Sequence, residues 1–306
     1  MFDCVLTLIG AAPEEAPVAA AAEIARRLLS GLGGAAGEPD WLAPHKACDL
    51  FFRASDLDRT ADALRTAIAQ RFPGGRIDFI VQPLAERRKR LIVADLESTL
   101  IENEMLDELA QLIGVKPKVA EITRKAMNGE IDFAQALKSR VALFKGLPEA
   151  ELLKAAANIR LTPGAATFIA TARAHGAFVA LVTGGFERFV RHVQTLLDFD
   201  AVVANDLDIE GGRLMGTVRE PIVDKDGKEA ALRRLAAERG LPLSATLAVG
   251  DGANDLPMLQ AAGLGVAFHA KPVVVAQIRN RLDFADLTGL LYAQGFRVEE
   301  FSRESV

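Results

Sequence analysis

The stretch LIVADLESTLIENE, Leu91 to Glu104, decides the fold prediction for this chain. Four apolar residues lead to Asp95, and a second carboxylate, Glu97, follows two positions later. A short apolar run that ends on acids is typical of a buried parallel strand whose carboxyl end carries polar side chains. The stretch therefore predicts a strand with two carboxylates at its end, in a sheet that binds a ligand there.

Composition narrows the class of protein. The 306 residues are 50% hydrophobic and 25% charged, which is typical of a globular protein with a large core. The net charge of -5 argues against a general nucleic-acid or membrane-surface binder. The two cysteines are too few for a disulfide framework, and from the sequence we expect neither a membrane-spanning helix nor a signal peptide. We expect a cytoplasmic protein with no nucleic-acid or membrane partner.

Residues 1–86 predict a small α+β unit of their own. Strand, helix, strand, helix and strand are predicted in DCVLTLIG, PVAAAAEIARRLLSGL, CDLFFR, LDRTADALRTAIAQRF and RIDFIVQ. A glycine-rich turn, GLGGAAGEPD, separates the first helix from the second strand. The order resembles an ACT-type or ferredoxin-like module, and no catalytic constellation is found in it.

Residues 87–306 predict a second, catalytic unit in which strands and helices alternate. Alternation of this kind implies an α/β fold, a Rossmann-like doubly wound parallel sheet covered by helices on both faces. A mostly helical region, about 102–157, lies between the first strand and the rest of the sheet. Its position predicts an inserted helical cap that closes over the site and excludes water.

Three predicted strands end in polar residues, and ligands of open α/β sheets bind at such ends. The three ends are Asp95-Leu96-Glu97, Thr183-Gly184-Gly185 and Gly250-Asp251-Gly252. Each has a plain structural interpretation. Thr99 with Glu102 fits a capping box, Thr183 could cap the helix after it, and Asp251 could belong to a turn. That all three fall at strand ends of one sheet favours an active site.

The same residues carry a family resemblance. The order DLEST, TGGF, Lys228 and GDGAND resembles the haloacid dehalogenase superfamily of phosphotransferases, from about Leu91 to the C-terminus. NEMLDELA, AMNGEIDFAQALKSRVALFKGLP and GDGANDLPML are similar, more narrowly, to the phosphoserine phosphatases of that superfamily. The resemblance implies hydrolysis of O-phospho-L-serine to serine and phosphate, the last step of serine biosynthesis.

The resemblance also implies a mechanism and a cofactor. Asp95 would attack phosphorus to form an aspartyl-phosphate, which splits one difficult hydrolysis into two easier steps. Mg²⁺ would lie between the acids and the phosphoryl group, held by Asp95, Asp251, the backbone carbonyl of Glu97 and Asp255. Glu97 would serve as the acid and then the base.

The substrate implied is a small amino-acid phosphate. By resemblance, Glu104 pairs with its ammonium and Arg140 with its carboxylate, which suits the fork of an arginine. An apolar wall and a phosphate-binding set complete the expected site: Met127 and Phe133 for the wall, and Thr183, Gly184, Gly185, Lys228 and Asn254 for the phosphate.

Glu97 departs from the family pattern, because most phosphoserine phosphatases have Asp at this position. The extra methylene of Glu adds about 1.5 Å of reach, to which acid–base catalysis is sensitive. A branch that transfers phosphate from phosphoserine to homoserine has Asp-x-Glu, so phosphotransfer is one alternative. An amino-acid sensor with a vestigial phosphatase domain is another, and whether the chain forms a homodimer is left open.

Overall fold

The computed structural model describes residues 2–11, 17–31, 36–127 and 130–302, without the side chain of Met127. The strands are β1 (Cys4–Gly10), β2 (Asp40–Ala43), β3 (Ala47–Phe52), β4 (Ile77–Pro83), β5 (Leu91–Ala94), β6 (Phe178–Phe186), β7 (Ala201–Asn205), β8 (Leu207–Glu210), β9 (Arg213–Val218), β10 (Thr246–Gly250), β11 (Leu264–Phe268) and β12 (Asn280–Leu282). The helices are α1 (Val18–Gly31), α2 (Leu57–Arg71), α3 (Met105–Leu112), α4 (Lys116–Met127), α5 (Phe133–Ala142), α6 (Ala150–Ala156), α7 (Ala165–Ala174), α8 (Glu187–Val193), α9 (Lys225–Glu238), α10 (Leu256–Ala261), α11 (Pro272–Val275) and α12 (Gly289–Ala293).

One ten-stranded sheet runs through the molecule, in the order β2-β3-β1-β4-β12-β11-β10-β5-β6-β7. The six strands from β12 to β7 are parallel to one another, and β5 lies between β10 and β6. The predicted α/β class with a parallel sheet is confirmed. Because parallel strands share one direction, their carboxyl ends meet at one edge of the sheet.

The first residues of the opening stretch form β5 because both faces of this strand are covered. Ile92 packs into one hydrophobic core, while Leu91 and Val93 pack into the core on the opposite face. All four residues of β5 are fully buried. Alternate side chains of a strand point to opposite faces, so a continuous apolar run is what a sheet covered on both sides requires.

The N-terminal unit has one strand more than the sequence predicted. The predicted glycine-rich turn ends at Asp40, and no element was predicted for residues 41–43. In the structure, Asp40–Ala43 pairs with β3 as the edge strand β2. Trp41 and Leu42 supply the β-favouring side chains that follow the turn. The resulting β-α-β-β-α-β order is the ferredoxin-like one.

The sheet of the N-terminal unit continues into the parallel sheet. β4 pairs antiparallel with β12 through Phe79 and Arg281. Beside this pair, the buried Asn280 accepts a hydrogen bond from the Val81 N–H at 2.9 Å. The two units therefore share one sheet, while their predicted boundary at residues 86 and 87 stays a prediction.

The helical insertion between β5 and β6 consists of α3, α4, α5 and α6, and its second half is joined to the β8–β9 hairpin. Gly146 N–H donates to the Leu214 carbonyl at 2.7 Å, and Leu214 N–H donates back to Leu147 at 2.9 Å. The insertion is thus fixed to the hairpin at one end. Within the described part of the chain, no helix has the length and apolar character needed to cross a bilayer.

Candidate active site

A cavity of about 490 Å³ lies where the carboxyl ends of the parallel strands face the helical insertion. Ten of the predicted residues line it: Asp95, Glu97, Glu104, Phe133, Arg140, Thr183, Gly184, Gly185, Asp251 and Asn254. Eight residues that the sequence did not predict also line it: Leu106, Asp107, Ala120, Thr123, Arg124, Leu137, Phe186 and Lys271. The predicted wall residue Met127 belongs to α4, and its side chain lies outside the described part.

Three aspartates meet beneath this cavity. One carboxylate oxygen from each of Asp95, Asp251 and Asp255 lies within 4.8 Å of the other two. All three residues are buried. Hard carboxylate oxygens in a group of this size are the donors that Mg²⁺ takes in proteins. Three carboxylates this close repel one another, so the cluster needs positive charge.

Lys228 supplies one such charge from below. Its Nζ lies 2.6 Å from Asp95 Oδ1 and 2.6 Å from Asp255 Oδ1, and the lysine is fully buried. Burial opposes the charged amine, but the two carboxylates outweigh it and raise the pKa of Lys228 above its usual value. The lysine is therefore a fixed cation of the cluster.

For Asp95, in contrast to Lys228, the surroundings favour the neutral form. Burial, together with the charge of Asp255, raises the pKa of Asp95 well above its usual value, while Lys228 lowers it. The pKa of Asp251 is raised as well, and burial is the main cause. At 2.6 Å, the charge-assisted hydrogen bond with Lys228 stabilises the charged form of the Asp95 carboxylate.

Asp255 reaches the cluster because glycine leaves room beside it. A Cβ at Gly250 would lie 2.4 Å from Asp255 Cγ, which no side chain could tolerate. Asp255 Oδ2 also accepts the Gly252 N–H at 2.9 Å. The glycines of the GDGAND motif thus let the carboxylate fold back against its own strand.

The loop after Asp95 is not the start of a helix. The N–H groups of Thr99, Leu100 and Ile101 all donate to the Leu96 carbonyl, which closes tight turns. Ser98 has a φ of 56°, in the left-handed region. The capping-box interpretation of Thr99 with Glu102 is therefore wrong, because α3 begins only at Met105.

Glu97 instead spans the distance to that helix. Its Oε1 accepts the Met105 N–H at 2.9 Å, at the N-terminus of α3. Burial, followed by the negative charge of Glu104, raises the pKa of Glu97 to about 7, against the lowering effect of this hydrogen bond. A carboxyl group of this kind can give and take a proton near neutral pH.

The second strand end packs closely against Glu97. A Cβ at Gly185 would lie 3.2 Å from Thr183 Oγ1 and 3.4 Å from the Glu97 carboxyl carbon, so glycine permits this approach. Thr183 Oγ1 accepts the Gly185 N–H at 2.9 Å and does not cap α8, whose N-cap is Phe186. The capping interpretation of Thr183 is wrong. Its hydroxyl hydrogen can be donated towards the cavity.

Glu104 and Arg140 are two of the charged residues on the cap side of the cavity. Glu104 is half exposed, and its Oε1 accepts the Ser98 hydroxyl at 2.9 Å. Arg140 is half-buried, and its Nε is a buried atom that has no hydrogen-bond partner among the described residues. Burial lowers the pKa of Arg140, against the raising effect of Glu97 and Glu104. A buried, unsatisfied guanidinium atom beside a cavity points to a missing ligand.

Lys271 is a site residue that the sequence reasoning missed. It follows β11, and its Nζ lies 3.1 Å from Asp251 Oδ2 and 3.9 Å from Glu104 Oε1. The rule that found the other strand ends also applies to β11, so the signal was present in the sequence. Asn205 was missed as well, and it holds the loop by donating to the Gly184 carbonyl at 2.8 Å.

A larger groove, about 1050 Å³, lies elsewhere, between α7 and the segment after α8. The charged residues that line it are Arg173, Asp198 and Asp200, and the arginine is paired with both aspartates. Charges that satisfy one another leave little to recognise a ligand. The smaller cavity, with its acid cluster and its unsatisfied arginine, is the better candidate.

Comparison with known proteins identifies the family of the chain. Residues 92–260 match the family described as haloacid dehalogenase-like hydrolase. A phosphoserine phosphatase of Streptomyces coelicolor is 44% identical over 261 residues, 85% of this chain and 63% of that protein. One from Lactococcus lactis is 46% identical over 203 residues, 66% of this chain and 94% of that protein.

A solved structure shares the fold. It is a phospho-aspartyl intermediate analogue of phosphoserine phosphatase, with a TM-score of 0.63 and 39% identity, and the match covers 67% of this chain and 98% of that one. The chain spans less than two thirds of the length of the Streptomyces relative. From the matched residues and these identities, the chain belongs to the haloacid dehalogenase-like hydrolases, within the phosphoserine phosphatase family.

Proposed function

We propose that this chain hydrolyses O-phospho-L-serine to serine and phosphate, with Asp95 as the nucleophile. The observation that carries the proposal is the acid cluster with its buried lysine, set against a cavity that presents Glu104 and Arg140. The relatives named phosphoserine phosphatase support it. No observation on the described residues favours transfer to homoserine or a purely sensory role.

The cluster fits a divalent cation. Asp95, Asp251 and Asp255 would hold Mg²⁺, because three buried carboxylates within 4.8 Å offer more negative charge than Lys228 and Lys271 together balance. When bound, the ion would neutralise the phosphoryl oxygens that otherwise repel a carboxylate nucleophile. The Glu97 carbonyl is proposed as a further ligand.

The chemistry at the chain's own residues takes two steps. In the first, a carboxylate oxygen of Asp95 bonds to phosphorus while the bond from phosphorus to the serine oxygen breaks, and Glu97 protonates that oxygen. In the second, Glu97 takes a proton from water, whose oxygen bonds to phosphorus and returns the Asp95 carboxylate. A pKa of about 7 suits Glu97 to both directions of proton transfer.

Phosphate and amino-acid recognition are divided between sheet and cap. Lys228, the Thr183 hydroxyl and the strand-end residues Gly184 and Gly185 would hold phosphoryl oxygens, with Asn254 beside them. Arg140 would bind the substrate carboxylate, because its buried Nε lacks a partner among the described residues, and Glu104 would bind the ammonium. Phe133 would provide the apolar wall, together with Met127.

The experiment that tests the function is turnover of O-phospho-L-serine with Mg²⁺ against a chelator control. We expect phosphate release that depends on Mg²⁺. Addition of homoserine should leave phosphate release unchanged and give no phosphohomoserine. Absence of turnover with Mg²⁺ would contradict the proposal, and phosphohomoserine formation would replace hydrolysis by transfer.

The domain limits and the cellular setting are also proposals. Residues 1–86 would form the ACT-like or ferredoxin-like α+β unit and residues 87–306 the catalytic unit, with the cap at about 102–157. The substrate would be a small amino-acid phosphate met in the cytoplasm, and size measurement in solution would establish whether a homodimer forms.

A further inference from the structure

Lys271 places a second cation beside the acid cluster, but from the open side. Its Nζ contacts Asp251 at 3.1 Å and lies 3.9 Å from Glu104 of the cap. The side chain is 47% exposed, whereas Lys228 is fully buried beneath the cluster. A positive charge here repels a divalent cation that binds Asp251 and attracts a phosphate ester that enters the cavity.

The backbone that carries Lys271 is held in an unusual conformation. His269, two residues earlier, has a φ of 42°, which residues with a side chain rarely adopt. Its N–H donates to the Leu282 carbonyl at 2.8 Å, and its Nε2–H donates to the Ala285 carbonyl at 2.9 Å. The conformation persists because contacts of this kind fix it. His269 thereby ties Lys271 to the segment after β12.

That segment is held in turn by Asp78 from the N-terminal unit. The buried Asp78 carboxylate accepts the N–H groups of Asp283, Phe284 and Ala285 at 2.8, 2.9 and 2.7 Å. Three backbone donors on one carboxylate make a strong and rigid anchor. A continuous path of contacts therefore leads from β4 of the N-terminal unit to the acid cluster.

We propose that Lys271 is a further cation of the substrate site. Asp78 holds His269 in place through the segment after β12, and His269 in turn holds Lys271 against Asp251. The N-terminal unit thereby sets the balance between metal binding and substrate binding. Asp78 and His269 are positioning residues and do not touch the site themselves. The proposal rests on the metal site of the proposed function.

The first experiment measures Mg²⁺ affinity from the rise of the melting temperature with Mg²⁺ concentration, for the full chain and for Lys271→Met. Methionine keeps the apolar stem and removes the charge. We expect the variant to bind Mg²⁺ about 3- to 10-fold more tightly, because a nearby positive charge is lost. Its KM for phosphoserine should rise. If Lys271 had only a structural role, its loss would weaken the binding of both Mg²⁺ and phosphoserine. A weaker or unchanged Mg²⁺ affinity therefore overturns the proposal.

The second experiment tests the path with a double-mutant cycle. Asp78→Asn should tighten Mg²⁺ binding about 2-fold in the parent and leave it unchanged when Lys271→Met is already present. His269→Asn tests the same link without changing the N-terminal unit, since Asn tolerates a left-handed backbone and is too short to reach Ala285. It should repeat the effect of Asp78→Asn. Equal shifts in both backgrounds, or none in either, would overturn the path.

Asp49→Asn is the matched control. Asp49 is also a buried carboxylate of the N-terminal unit, but it accepts from Thr7 and Arg87, away from Lys271. The substitution should lower the melting temperature and leave Mg²⁺ affinity unchanged. A shift as large as that of Asp78→Asn would overturn the proposed path, since it would show a general loss of stability. Mg²⁺ affinity is read without turnover, so the test stays distinct from failure of the proposed hydrolysis.

Discussion

The two sides of the cavity differ in how far their charges are already satisfied. On the sheet side, Lys228 is fully buried between Asp95 and Asp255 at 2.6 Å from each. On the cap side, Glu104 is half exposed and the Arg140 Nε has no partner among the described residues. Under the proposed function, the sheet side is organised before a substrate arrives, whereas a bound substrate would complete the cap side. Reaction chemistry and substrate choice would then lie on separate elements.

The difference also has an energetic reason. A buried polar atom without a partner costs free energy, about 1–3 kcal/mol when a partner is lost. Three buried carboxylates without partners would destabilise the fold by several times this amount, and the buried Lys228 offsets part of it by pairing with two of them. On the cap side, the carboxylate of the proposed substrate would supply the hydrogen bonds that Arg140 lacks. Substitutions on the sheet side should therefore affect all substrates, and those on the cap side only amino-acid substrates.

Asp95→Asn should have the largest effect. The amide cannot attack phosphorus, so phosphoserine turnover should fall about 10⁵-fold or more. The buried pair with Lys228 loses its charge, and the melting temperature should therefore be recorded beside the rate. Activity within 10-fold of the parent, about 1.4 kcal/mol, would show that another group is the nucleophile.

Asp251→Ala should come next, because it removes a donor of the acid cluster. We expect Mg²⁺-dependent turnover to fall about 10⁴-fold, with the fold retained, since a bound ion supplies several kcal/mol of charge stabilisation. The exposed Asp226→Ala on α9 is the control and should behave like the parent. Unchanged Mg²⁺ affinity in Asp251→Ala would place the ion elsewhere.

Glu97→Gln tests proton transfer on the sheet side. Gln can still accept the Met105 N–H, so the loop should keep its shape while the proton is lost. The rate with phosphoserine should fall about 10²- to 10⁴-fold. The loss should be smaller with nitrophenyl phosphate, whose leaving group needs no proton, if the first step limits the rate.

Glu102→Gln is the matched control for that experiment, because Glu102 is an acid of the same loop that pairs with Arg160 at 2.9 Å. It should leave the rate within about 2-fold, as expected for an exposed ion pair. Parent-like hydrolysis of phosphoserine by Glu97→Gln would make Glu97 a bystander. Glu97→Asp should remain active, although it would give up the reach to Met105.

Arg140→Ala should have the smallest and the most selective effect. Loss of charge-assisted hydrogen bonds should lower kcat/KM for phosphoserine about 10- to 100-fold. Nitrophenyl phosphate, which lacks a carboxylate, should be affected less than 3-fold. Arg124→Ala is the control, because Arg124 lines the same cavity but is already paired with Glu121 at 2.7 Å. Equal losses on both substrates would assign Arg140 to cap structure.

The sheet and most of the site could be predicted from the sequence, because strands covered on both faces appear as apolar runs. The ends of those runs pointed to Asp95, Thr183 and Asp251, which line one cavity in the structure. The same rule applies to Lys271, which follows β11, although the prediction did not include this residue. Lys271 could therefore have been predicted from the sequence alone.

Other features depend on contacts between distant residues. The pairing of Lys228 with Asp255 spans 27 positions, and the bond from Glu97 to Met105 requires the turns that replace a helix at Thr99. Likewise, the two units are joined by strand pairing and hydrogen bonding between β4 and β12, which are far apart in the sequence. Local sequence patterns carry no signal for such pairings.

The most direct test of the central claim is to trap the covalent intermediate. The chain is mixed with phosphoserine and Mg²⁺, quenched in acid during turnover and reduced with borohydride, which converts an aspartyl-phosphate to homoserine. Peptide sequencing by mass spectrometry should then read homoserine at position 95 and unchanged aspartate at positions 251 and 255. Unmodified Asp95 during active turnover, or homoserine at another position, would contradict the mechanism.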